Sequence, residues 1–430
     1  MRLLIDWIFI ILSTMMTLSS YNRVFRDRYA SVAHYVLLIE YIFMSSPILL
    51  NYCMGIPTYA SVPWYKSFLS SMHSEEIAII YDLYVLTSMA LLYAYAVKYD
   101  RSAAKQNKFE EFKFDGFFSN RIVTNTIILS PIIQVIVTGQ VLSYLVYGTS
   151  SIRAINSSDF LVYQSMLLQF SICAFCYRFF ATPITKGKIF LLLVYSVMIA
   201  WISGKRFMIA LLLLAYLFCF MRSGLENKLR RKMAISVPLF FAALIVFSYF
   251  YLVVIKPVPD TSFAGVYDVL RVDYGRDDVV KFVIEREFFK NDSILDYRGQ
   301  TILSEFLTFV PRSLWPNKPY PHYVYLTSEI LGVARNALPA GTTTSWFEIC
   351  IANFSWLGFV IGSVSIPLFC KWCDKRKSVI HQMLILIFIA VLITQSMSAY
   401  TAVLMFLVAK GAIKLVLGNR RVVIKFSRRR

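Results

Sequence analysis

Three short stretches of this chain carry residues whose types and spacing suit chemistry on a charged, hydroxyl-bearing substrate. The first is Gly204-Lys205-Arg206, two adjacent cations at a glycine turn between apolar runs. The second is Phe309-Val310-Pro311-Arg312-Ser313-Leu314-Trp315-Pro316-Asn317-Lys318-Pro319. Three prolines stiffen it and hold Arg312, Trp315 and Lys318 at set positions. A guanidinium there makes forked hydrogen bonds to phosphate oxygens, and an indole stacks on a sugar face. The third is Gly341-Thr342-Thr343-Thr344-Ser345, followed by Glu348 as the next helix begins. Hydroxyls and backbone amides at a helix N-terminus favour an anion. Arg271, Arg276, Arg286 and Arg298 add cations among acids, and two of these four are expected to touch substrate. The plainer alternatives are an interfacial anchor for Trp315, an ordinary loop residue for His322 and snorkelling for Lys205 and Arg206.

The elements that position these residues follow from composition. The chain has 430 residues, is 58% hydrophobic and has a mean hydropathy of +0.60, which no soluble fold hides. It reads as an all-α polytopic membrane protein with about 11 transmembrane helices. The expected spans lie near 3–20, 32–52, 76–97, 122–147, 159–181, 189–203, 207–221, 233–255, 346–370, 379–397 and 399–417. The first is expected to be a retained helix and not a cleaved signal. Asp6, Glu40 and Asp82 fall inside spans, where ionisable groups face the bundle interior and pair.

The net charge of +19 collects in alternate short loops and in the tail, the pattern of topology determinants, so nucleic acid is not an expected partner. With the N-terminus outside, every basic loop and the C-terminus fall on the cytoplasmic side. Residues 1–255 then form an N-terminal transmembrane region, 256–345 one large extracytoplasmic loop, and 346–430 the C-terminal spans and basic tail. The ten bases of that loop nearly balance its acids. Asp277 opens an amphipathic helix expected to lie on the membrane or the bundle, and Thr301–Val310 is a second short helical run. Spans 189–203 and 207–221 fall short of the ~30 Å hydrocarbon core, so their Lys205-Arg206 tip is expected to sit below the outer surface. Cys370-x-x-Cys373 has no second ligand pair nearby, and neither a metal nor a cofactor is expected.

The strings Tyr297-Arg298-Gly299-Gln300, Phe309–Pro319, Gly341–Ser345, Glu348 and Asn353 together resemble the outward-loop signature of bacterial oligosaccharide repeat-unit polymerases, the Wzy-type O-antigen polymerase family. Ile202-Ser203-Gly204-Lys205-Arg206 is similar to the short turn those proteins carry between two helices. The specific part covers roughly residues 297–363. Lys205 and Phe207 flank the arginine where small residues are common in the family, and Phe354-Ser355-Trp356-Leu357-Gly358 departs from its pattern.

The resemblance implies a GT-C-like membrane glycosyltransferase of the bacterial inner membrane. Its substrates are undecaprenyl-diphosphate-linked oligosaccharides, and its partners include the bilayer, a chain-length co-polymerase and a flippase. In that frame Lys205, Arg206, Arg312 and Lys318 stabilise a leaving lipid diphosphate. Glu348 is the first candidate base, with Asp277, Asp278 and His322 behind it. Arg271, Arg276, Arg298, Trp315, His322, Thr342, Thr343, Thr344 and Asn353 complete the expected substrate contacts. The competing expectations are an O-antigen ligase and a lipid-linked oligosaccharide flippase.

Overall fold

The computed structural model describes residues 2–103, 120–139, 141–144, 158–181, 185–204, 206–255, 257–307, 310, 314–338 and 341–395. Among them the regular structure is helical throughout. The helices are α1 (Arg2–Arg26), α2 (Val32–Glu40), α3 (Ser46–Met54), α4 (Leu69–His73), α5 (Glu75–Ala103), α6 (Arg121–Val137), α7 (Ser158–Phe180), α8 (Lys186–Ser203) and α9 (Arg206–Arg222). After them come α10 (Asn227–Phe250), α11 (Phe263–Tyr274), α12 (Asp277–Ile284), α13 (Gln300–Phe306), α14 (His322–Leu331), α15 (Trp346–Phe354), α16 (Trp356–Asp374) and α17 (Val379–Thr394). Six described helical stretches are long and apolar enough to cross a membrane: α1, Val32–Met54, α5, α8, Asn227–Val254 and α16. The chain is thus a helical membrane protein of several spans. Four shorter apolar helices accompany them, and the expected span at 399–417 lies outside the described residues.

α17 is the axis of the bundle. It is apolar on every side and, His381 apart, every one of its residues is buried, the pattern of a helix enclosed by others. α2, α16, α7 and α9 surround it, with α1 and α5 packed behind α2 and α16. α10 leans on α1 and leaves nearly all its apolar surface outward, as a lipid-facing helix does.

The expected span at 346–370 is two helices. α15 runs nine residues, the chain reverses at Ser355, and α16 returns antiparallel beside it. Ser355 sits at φ 52, a strained backbone for a residue with a Cβ. The reversal also needs Gly358, where a Cβ would stand 2.3 Å from the Cys350 carbonyl oxygen. Trp346 Nε1 donates to Ser365 Oγ at 2.7 Å, which fixes the register. Ser365 lies nine residues along α16, about 13 Å from its start at 1.5 Å per residue. The N-terminus of α15 therefore lies level with the middle of a spanning helix. Hydropathy does not register this because both arms of the hairpin are equally apolar.

The loop expected to stand outside the bundle is in part folded into it. All eight residues of α12 are buried, between α5, α15, α4 and the 3-10 turn Pro63–Phe68. A π-helical turn, Tyr41–Ser45, makes the place for it between α2 and α3. That wider turn frees carbonyls from the α-helical ladder. Phe43 O accepts the Arg276 backbone N–H at 3.1 Å, and Met44 O accepts the Tyr81 hydroxyl at 2.7 Å.

Candidate functional site

α12 carries Asp277, Asp278 and Lys281 into the interior, and burial on this scale requires partners. Arg271, at the C-terminal end of α11, pairs with Asp277 at 2.8 Å and reaches Asn51 Oδ1 at 3.3 Å. Lys281 lies 3.6 Å from Asp277, one helical turn back, with its ammonium 4.9 Å from the centre of the Tyr81 ring. Asp278 has only the Tyr59 hydroxyl, at 3.5 Å, and a backbone amide. Burial, and then the neighbouring Asp277, push its carboxyl well above the usual carboxylate range. Arg276 points the other way and caps α17, donating to Thr394 O at 2.9 Å and Gly275 O at 2.6 Å. A cation at a helix C-terminus satisfies carbonyls that have no partner in the helix.

The hydroxyl-rich stretch meets this network from the side. Gly341 lies against the Tyr323 ring, where a Cβ would stand 2.7 Å away, and Thr342 N donates to Thr327 Oγ1 at 2.8 Å. Ser345 caps α15, and Glu348 closes the capping box, its carboxylate accepting from both the Ser345 amide and the Ser345 hydroxyl. Arg276 is the cation in electrostatic reach of Glu348, and Tyr65 stands beside Thr342 and within reach of Asp278 and Arg276. The structure thus gathers Arg276, Asp278, Thr342, Thr344 and Glu348 where α12 and α15 both begin.

The other expected residues fall into three groups. Lys205 and Arg312 lie outside the described residues, and Arg206 opens α9 with its side chain outside them. Arg271 and Arg276 are enclosed and bonded to protein groups. Arg298 is half exposed and pairs with Glu287 at 2.5 Å while donating to Ala352 O. Arg286 joins Asp292 and Glu329 in a surface network. Trp315 and Thr343 are half-buried, and Lys318 donates to Val310 O at 3.0 Å. Asn353 joins α15 to α13 by hydrogen bonds with Thr301, so it belongs to the framework. His322 is buried at the start of α14, its two ring nitrogens without hydrogen bonds. Burial pushes its imidazole down to about 3, leaving it neutral.

Sequence reasoning passed over Lys281 and Tyr65, and gave Gln300 no role beyond its place in the Tyr297–Gln300 string. Lys281 had a legible signal, its position four residues after Asp277. The burial of Tyr65 and Gln300 had none, because it depends on contacts from distant segments. Among the described residues no group of three or more His, Cys, Asp or Glu side chains is placed to hold a metal ion. No family model matches the sequence, and neither a curated protein nor a solved structure matches it.

Proposed function

We propose that this chain polymerises lipid-linked oligosaccharide repeat units at the membrane face that carries residues 256–345. The bond between the growing glycan and its lipid diphosphate breaks. A glycosidic bond forms to a hydroxyl oxygen of a fresh lipid-linked unit, that hydroxyl's proton passes to a base, and the lipid diphosphate leaves. The observation that carries this reading is the α15–α16 hairpin, which brings Thr342–Glu348 level with the middle of a spanning helix. A substrate whose reacting bond joins a membrane lipid to a sugar calls for polar side chains at that depth, and a purely extramembrane enzyme does not. The sequence resemblance at residues 297–363 supports the same reading.

In this mechanism Arg206 and Arg312 stabilise the charge developing on the leaving diphosphate, with Lys205 and Lys318 beside them. Glu348 takes the acceptor's proton, exchanging its bond to the Ser345 hydroxyl for one to the acceptor. A separate flippase delivers the lipid-linked units, and a co-polymerase sets chain length. Cells deleted for the chain are expected to hold single lipid-linked units in the outer leaflet, whereas loss of a transporter would strand them in the inner one. Re-expressed Arg206→Ala and Arg312→Ala are expected to give single repeat units and no polymer ladder. Normal long-chain ladders from both, at wild-type protein levels, would sink the assignment.

A further inference from the structure

Among the described residues of the 300–344 region, three uncharged side chains are buried with hydrogen-bonding atoms that have no partner. They are Gln300 Oε1 and Nε2, His322 Nδ1 and Nε2, and Thr344 Oγ1, on residues 0, 1 and 0% exposed. Buried polar atoms are nearly always bonded; other exceptions, Ser61, Ser67 and Ser378 among them, lie elsewhere, and this group is set apart by lying beside the hydroxyl-rich stretch that opens α15.

The three lie along one seam. Gln300 and Ser304 share a face of α13, one turn apart. Ser304 Oγ donates to Pro319 O at 3.0 Å, which lays that face against the segment leading into His322. The next residue, Tyr323, packs on Gly341, and Thr327 one turn later holds the Thr342 amide. From Gly341 the chain passes through Thr344 into the α15 cap.

The chemistry of the vacant atoms narrows the occupant. A phosphate calls for donors alone, and a cation for acceptors alone. This set offers both: an amide with donors and an acceptor, an imidazole with one of each while neutral, and a hydroxyl that plays either part. Sugar hydroxyls also donate and accept together. An acidic sugar here would bury its carboxylate among groups that include Glu305 and Glu348, both at most 4% exposed.

We propose that Gln300, His322 and Thr344 form a subsite for an uncharged sugar ring of the lipid-linked glycan, separate from the cations assigned to its diphosphate. This rests on the polymerase reading and adds the class of sugar the loop accepts. The test uses the full chain in nanodiscs and the glycan released by mild acid from the glycolipid fraction of cells deleted for this chain. Saturation-transfer NMR is expected to mark the ring protons of an uncharged sugar, and excess inorganic diphosphate is expected not to displace it. Thr344→Val, and separately Gln300→Met, are expected to bind the released glycan about tenfold more weakly with no loss in thermal midpoint.

Saturation of a uronic acid ring, displacement by diphosphate, or absence of binding to wild type overturns the subsite. Unchanged binding in the variants with raised midpoints also overturns it, and assigns the seam to ordered water alone. If deleted cells accumulate no lipid-linked glycan, the polymerase reading falls first and the subsite with it. If the glycan accumulates but does not bind, only the subsite falls.

Discussion

Where α1 turns into α2, Asp374 accepts from Ser31 Oγ at 2.5 Å, Val32 N at 3.0 Å and the Tyr95 hydroxyl at 2.9 Å. Asp100 takes Ser31 N and His34 Nε2, and His34 Nδ1 meets Ser20 Oγ at 2.9 Å. Arg222 donates to the Arg28 and Ala30 carbonyls, and Arg230 to those of Arg26 and Met221. At the opposite end, around α12, α14 and α15, the burial is as deep, but Gln300, His322 and Thr344 keep vacant atoms. Burial alone therefore does not separate a framework from a site. The kind of atom left over does: at the first end the hydroxyls, carboxylates and imidazole are bonded and the spare atom is Arg230 Nε, and a bonded hydroxyl or carboxylate has nothing left to offer a ligand. Ser20, His34 and Asp100 illustrate the point. They have the composition of a nucleophilic triad, yet Ser20 and His34 are wholly buried, so no carbonyl reaches the hydroxyl.

The sharpest way to break this comparison is Asp374→Ala. It removes the acceptor of two hydroxyls and a backbone amide at once, and about 4 kcal/mol of stability is expected to be lost. Thermal unfolding in detergent should show the fall, with little folded protein recovered from membranes. A midpoint within a degree or two of wild type would mean that the saturated cluster is not the framework. Next in size is Gly362→Ala in the hairpin. Its methyl would stand 1.8 Å from the Tyr84 hydroxyl, which bonds the Phe347 and Gly358 carbonyls. Overpacking there is expected to cost about 2 kcal/mol. It should also raise amide exchange across residues 341–348, showing that the hairpin positions the hydroxyl stretch. Exchange unchanged in that stretch would separate the two.

His322 sharpens the comparison through pH. Burial pushes its imidazole down to about 3 in the folded chain, from an ordinary value near 6.5, so the folded state binds fewer protons between those values. The stability tied to its neutral form is present above pH 6.5 and is lost as pH falls through that window. Between pH 6.5 and 5 the loss is about 2 kcal/mol at 1.36 kcal/mol per unit. His322→Gln removes that group, so its midpoint should fall less than wild type's over the same interval. Equal slopes in the two proteins would show that acid reaches His322 without unfolding its surroundings.

How much of this was legible beforehand depends on the physical signal involved. The apolar runs of α1, α5 and α8 are visible in composition, and the structure contains them as long apolar helices. Glu348 three residues after Ser345 is a capping box in the sequence, and it forms. The reversal at Ser355 was not legible, since hydropathy measures how apolar a run is and not its direction. Nor was the sinking of α12. Asp277, Asp278 and Lys281 look like a solvated face until Arg271, from a separate helix, supplies the countercharge. The vacancies at Gln300 and Thr344 were least visible of all, because they consist of partners that no other segment provides.

The smallest expected effect discriminates best between the two ends. Thr344→Val keeps the side-chain shape and removes a hydroxyl that is wholly buried and unbonded. Deleting an unsatisfied polar atom relieves its desolvation penalty, so stability should rise by about 1 kcal/mol while polymer synthesis falls. The opposite signs are the test, read as thermal midpoint against ladder length from the same preparation. Ser31→Ala at the saturated end is the control and should lose stability, because its hydroxyl bonds Asp374. If Thr344→Val destabilises as Ser31→Ala does, the Thr344 hydroxyl has a structural partner, and the contrast between framework and site fails at that residue.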